Sequence, residues 1–142
     1  MLAFRILHVI GTLAWLGGGA VAAAAMAILA SEAPDTRLAA ARALRRVVLW
    51  VVTPGMLLSL AAGLAMLLSN WSTLYAKAPW MHAKLTVGLV AAAFSGVLSG
   101  RLRRGANDAG ALAPGAFRNA ALVLILSAVA NVSFVYLRFG QH

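Results

Sequence analysis

Residues 80–100 read WMHAKLTVGLVAAAFSGVLSG and are followed at once by Arg101-Leu102-Arg103-Arg104. Lys84 is the one charged residue in the run. A helix needs roughly 20 apolar residues to cross the hydrocarbon of a bilayer. This run meets that length, and the arginines mark where it would leave the membrane. Three more runs of the same kind lie around it, over residues 3–29, 47–68 and 116–137. The chain of 142 residues is 63% hydrophobic and 11% charged, with a mean hydropathy of +0.89. A soluble domain is about 45–50% apolar and about 25% charged. So much apolar surface exceeds what a core of this size can hide, and a lipid bilayer must cover the rest.

Short links between consecutive spans favour antiparallel neighbours. The expected fold is therefore all-α: an integral membrane up-down-up-down four-helix bundle, with residues 1–142 forming a single membrane domain. The first run is longer than the apolar region of a secretion signal, and Arg5 is the one basic residue before it deepens, so it is expected to be retained as a span. The chain has no cysteine. That excludes disulfides, thiolate nucleophiles, iron–sulfur clusters and covalent c-type haem attachment.

The net charge of +9 would suggest nucleic acid in a soluble protein. Here the basic residues cluster at span ends, so topology and anionic lipid explain them and no nucleic-acid partner is expected. The links after spans one and three carry Arg37, Arg42, Arg45, Arg46, Arg101, Arg103, Arg104 and Arg118. The other side carries Arg5, Lys77, Lys84 and Arg138. The richer side belongs in the cytoplasm, which puts both termini on the non-cytoplasmic side of the cell's inner (plasma) membrane. Trp71, Tyr75 and Trp80 then fall where an aromatic belt is expected. Asp35 is expected to cap a helix starting near Thr36 and running on into span two. Thr53-Pro54 is expected to kink that span, because proline frees a backbone carbonyl.

The sharpest chemical signal is a pair of histidines. His8 lies in the first span and His82 in the third, both near the non-cytoplasmic end. An ionisable ring inside hydrocarbon is costly and is by default a functional feature. In an up-down bundle, spans one and three are diagonal. Neighbouring axes are about 8–10 Å apart, which makes the diagonal roughly 12–14 Å. That gap suits an imidazole–iron–imidazole sandwich and one b-type haem, with His8 and His82 as the iron ligands. Zinc would want three or four Cys, His or carboxylate ligands. Glu32, Asp35 and Asp108 all map to the opposite side. Copper could draw on the thioethers of Met66 or Met81.

Cationic groups surround the same level. Arg5, Lys84 and Arg138 are placed to pair with haem propionates, unless they snorkel to the interface. Gly11 lies one turn from His8 and would let a flat macrocycle approach the backbone. Trp15, seven residues on, shares the face of His8 and either lines the cofactor or packs. The Gly96/Gly100 spacing suits close helix packing, within the chain or in a homo-oligomer.

Together these residues resemble the HemJ-type membrane protoporphyrinogen oxidases. Leu7-His8-Val9-Ile10 with Trp15 looks like that family's first helix. Arg42, Leu44, Arg45 and Arg46, then Thr53-Pro54 and Gly63-Leu64, look like its second. Trp80-Met81-His82-Ala83-Lys84-Leu85 looks like its W-x-H-x-K-L signature, and Gly100-Arg101 with Arg103-Arg104 like its basic exit. The related copper-resistance D membrane domain shares part of the pattern. The resemblance implies a haem b held at the family's His and Lys positions, here His8, His82 and Lys84. It also implies oxidation of protoporphyrinogen IX, with electrons passing to the respiratory chain through a quinone or a respiratory complex. For that reaction a partly desolvated Lys84 is the candidate catalytic residue. The chain departs from the family at Gly18–Ala23, where a Pro-Arg-aromatic segment is usual, and at Arg118–Ala121, where Asn-Glu is usual. Two other functions remain open at this point. One is a haem b electron-transfer or assembly subunit without bond-making chemistry; the other is a haem-free copper transport or resistance protein.

Overall fold

The computed structural model of the chain describes residues 2–72 and 76–139, with side chains as far as Phe134. Four long helices make up the structure: α1 (Leu2–Leu29), α2 (Pro34–Ser69), α3 (Pro79–Gly105) and α4 (Pro114–Phe139). All four are long and apolar enough to cross a membrane, and the described residues include no strand. Only 22–39% of each apolar window is buried within the protein. Trp50 is 80% exposed and Leu89 73%. Side chains of that kind need lipid around them. The protein is thus an all-α four-helix bundle of the multi-pass membrane type.

Around the bundle α1 packs on α2 and α4, and α3 packs on α4 and on the first half of α2. This is the up-down-up-down order, with α1 and α3 on the diagonal. The helices outrun the apolar runs that predict them. α3 continues through Arg103 and Arg104, and α2 begins a full three turns before residue 47. Basic residues suit the last turn of a helix, where backbone carbonyls carry partial negative charge. Asp35 is not the cap of α2. The capping position is Ala33, Pro34 opens the helix, and Asp35 sits in the first turn. There its charge faces the positive end of the helix dipole. Two arginines of α2 tie the links instead. Arg42 Nε donates to Ala106 O (3.1 Å) and Arg37 Nη1 to Ala30 O (3.5 Å), the carbonyls that end α3 and α1.

Each of the first two helices carries one widened π turn, at Leu13–Gly17 and at Val48–Val52. The second has a local cause. Pro54 has no N–H and its ring crowds the carbonyl four residues back. The turn before it opens by one residue, so that Thr53 N–H bonds Val48 O, five residues away. The distortion expected at Thr53-Pro54 is therefore a π bulge.

The buried core fills one half of the bundle. It starts at Trp15 in α1, ends at Val52 in α2, starts at Ala91 in α3 and ends at Leu124 in α4, with Phe117 and Leu112 closing the basic end. On the far side of Trp15 the helices separate into two pairs, α1 with α2 and α3 with α4. The first pair is held very close. A Cβ on Gly11 would lie 2.6 Å from Ser59 N and 2.7 Å from Gly55 O, and one on Gly55 would lie 2.9 Å from Trp15 N. Only glycine permits backbones to touch in this way. Gly11 therefore faces α2 rather than a cofactor. Gly96 and Gly100 meet nothing within 4 Å. The inward face of α3 is Ala91, Ser95, Leu98 and Leu102, which turns the glycine pair away from the bundle interior. The packing expected of that pair within the chain is absent.

Trp15 marks the floor between the packed half and the open half. It is 4% exposed, and its Nε1–H donates to Ser95 Oγ at 2.8 Å, which in turn donates to Ala91 O at 2.8 Å. A Ser95→Ala substitution strands a buried indole N–H. The expected cost is about 1–3 kcal/mol. It is read as a lower thermal midpoint of the purified protein in detergent, with helix content unchanged.

Candidate functional site

The open half of the bundle encloses a cavity of about 510 Å³. That volume lies within the roughly 300–1,000 Å³ usual for cofactor and ligand sites. One wall is α1 and α2, which contribute Arg5, His8, Thr12, Ser59, Gly63 and Met66. The other is α3 and α4, with Met81, Lys84, Gly88, Asn131 and Phe134. Trp15, Leu16 and Ala91 form the floor.

His8 is the most tightly specified of these side chains. Its Nδ1 lies 2.7 Å from the Ser59 carbonyl, which can only accept, so Nδ1 carries the proton. Thr12 Oγ1 donates to His8 O at 2.7 Å. Ser59 Oγ therefore supplies the hydrogen in its 2.7 Å bond to Thr12 Oγ1, and lies 3.2 Å from His8 Nδ1. The cycle satisfies its donors and locks the ring to α2. Gly63 completes the seat: a Cβ there would stand 3.0 Å from both His8 Cε1 and His8 Nδ1. With Nδ1 committed, the Nε2 lone pair of the neutral ring is the group left to bind a metal. A backbone carbonyl behind Nδ1–H is the usual way a metal-binding histidine is oriented.

Two cations share the cavity, Arg5 from α1 and Lys84 from α3. Neither α1 nor α3 has an acidic residue in its first turn. The cavity is thus a mostly apolar chamber with one oriented imidazole and two positive groups. An anionic, largely apolar ligand able to accept a nitrogen at a metal centre matches that combination. Gly88 adds room on the α3 wall, since a Cβ there would meet nothing within 4 Å.

The predicted site residues separate in the structure. His8, Arg5, Lys84 and Trp15 line one cavity. His82 is not in its lining. That ring is exposed, packs edge-on against Trp71 with centroids 6.1 Å apart, and has Nε2 3.3 Å from Ala76 O. The reason is helical phase. Met81, Lys84, Leu85 and Gly88 line the cavity at i, i+3, i+4 and i+7, with Trp80 and Leu89 at the edges of that face, and His82 falls about 20° beyond the Leu89 edge, where its ring meets Trp71 and Ala76 O. The imidazole–iron–imidazole sandwich is not the arrangement seen. Gly11 lies at the α1–α2 crossing, outside the cavity lining. Tyr75 and the side chain of Arg138 fall outside the described residues. Among the described residues no group of three or more His, Cys, Asp or Glu side chains comes together.

Sequence reasoning passed over Ser59, Thr12, Gly63 and Gly88 as site residues. A signal for two of them is present: Gly55, Ser59 and Gly63 recur every fourth residue, the spacing of a close helix contact. Compared with family models, with curated proteins and with solved structures, the chain matches none.

Proposed function

We propose that this protein is a haem b-binding membrane redox protein, acting on protoporphyrinogen IX and passing electrons to a quinone or a respiratory complex. The observation that carries the haem reading is His8, held by Ser59 O with its Nε2 left for a metal, in a cavity that also holds Arg5 and Lys84. Haem needs only one or two axial ligands, and its propionates need cations. In this reading His8 would hold the iron, and Arg5 and Lys84 would hold the propionates. Trp15 and Phe134 supply apolar surface, and Gly88 leaves space for the ring system.

Bound haem would supply one-electron redox chemistry. The protein residues do the rest. The Ser59–Thr12–His8 cycle keeps the imidazole in one tautomer. The Trp15–Ser95 floor separates the cavity from the packed half of the bundle. Oxidation of a porphyrinogen to a porphyrin removes six electrons and six protons. Lys84 is the ionisable side chain on the α3 wall and is the candidate catalytic residue; as an ammonium it would position anionic carboxylates in the cavity rather than accept protons itself. The departures at Gly18–Ala23 and Arg118–Ala121 favour a second reading, a haem b electron-transfer or assembly subunit with the same site. Complementation of a strain lacking its own protoporphyrinogen oxidase separates the two. Rescue supports the oxidase; failure by a protein that inserts and binds haem rejects it. The eight link arginines lie at the end of the bundle away from His8. The positive-inside rule accordingly puts the cavity at the non-cytoplasmic face of the inner membrane.

A charge-based propionate anchor makes a further prediction. Lys84→Gln is expected to weaken haem retention by about tenfold or more, as for loss of a charged hydrogen bond of about 1.5–3 kcal/mol. Lys84→Arg is expected to retain it. Haem titration of the purified variants checks both.

A further inference from the structure

We propose that the second axial ligand of the haem is the thioether of Met81. The inference rests on the haem reading above. It concerns what completes the iron once His8 is one ligand. The histidine expected to do so, His82, is turned out of the cavity toward Trp71 and Ala76. Its neighbour Met81 takes the place: it lines the cavity from α3, half-buried, while His8 lines it from the α1–α2 wall.

His8 is seated on Gly63 and Ser59 of α2. A ligand on the opposite side of the iron must come from the other wall. There the metal-competent side chains in the lining are Met81, Lys84 and Asn131; Asn131 Nδ2 donates to Ser127 O, and its amide oxygen is a hard ligand poorly matched to haem iron. Lys84 brings positive charge on a long stem to an apolar chamber and suits a propionate. Met81 brings a neutral, soft sulfur that ligates iron without carrying charge into the membrane. Met66 also lines the cavity, but from α2, three residues beyond the Gly63 seat and on the same wall as His8.

His/Met ligation has consequences that differ from those of two nitrogen ligands. Methionine favours ferrous iron and raises the reduction potential. A centre of that kind is suited to accepting electrons.

The test uses the full-length protein loaded with hemin, compared with Met81→Leu, Met66→Leu and Lys84→Gln. Leucine for methionine nearly conserves volume, so the fold is expected to survive. Haem stoichiometry is measured alongside the near-infrared sulfur-to-iron charge-transfer band of the ferric form and the reduction potential. Expected is the band in wild type, its loss in Met81→Leu together with a lower potential, and haem still bound through His8. If haem binds but wild type lacks the band, or Met81→Leu keeps it, the assignment of Met81 is overturned and the haem reading stands. The same holds if the band disappears in Met66→Leu instead. If the wild type takes up no haem, both are overturned.

Discussion

Gly11→Ala is expected to destabilise the protein by about 3 kcal/mol, the upper end of the overpacking range, because the group it meets cannot give way. The added carbon would stand 2.6 Å from Ser59 N and 2.7 Å from Gly55 O, which are backbone atoms of a packed helix. Relief requires α1 and α2 to separate. That separation also lengthens the 2.7 Å bond from His8 Nδ1 to Ser59 O, so haem retention is expected to fall with stability. Gly96→Ala is the matched control. Its new methyl group meets nothing within 4 Å, and a change within about 0.5 kcal/mol is expected. Thermal midpoints in one detergent compare the two. Equal effects would show that the close crossing is not what holds the pair together.

His8→Ala carries the largest expected functional effect. Loss of a group that merely orients a metal ligand costs about 10–100-fold in metal affinity. If His8 is the haem ligand as proposed, removing it is expected to exceed that, leaving purified protein with essentially no haem. The substitution also removes the Nδ1 bonds to Ser59 O and Ser59 Oγ, while the Thr12 bonds to the residue-8 carbonyl and to Ser59 Oγ remain, so some stability is lost with it. Helix content by circular dichroism separates lost ligation from lost fold. An intact far-ultraviolet spectrum without haem is the expected result.

The parts of this architecture that were legible in the sequence are those that depend on composition and span length. Runs such as residues 80–100 announce themselves because lipid demands continuous apolar length, and short links leave few topologies for four of them. His8 was legible for the same reason, as a polar ring inside hydrocarbon. What could not be read was helical phase. His82 and Met81 are adjacent in sequence, and His82 lies only just past the edge of the face on which Met81 lines the cavity. The π turn at Leu13–Gly17 changes the phase between His8 and the residues beyond it, and no residue there advertises the turn as Pro54 does for Val48–Val52. Gly11 and Gly96 show the same limit. Each sits in an apolar helix, yet one is pressed against a neighbouring backbone and the other faces outward. Small residues permit contact without saying which face meets a partner.

The account depends on a tetrapyrrole iron resting on His8 in the chamber above Trp15. The most direct check is the visible absorption spectrum of the purified protein, expressed with haem available, beside that of His8→Ala. A Soret band in the wild type that disappears in the variant is the predicted result. A wild type without the band, or a variant that keeps it at full intensity, would contradict the assignment.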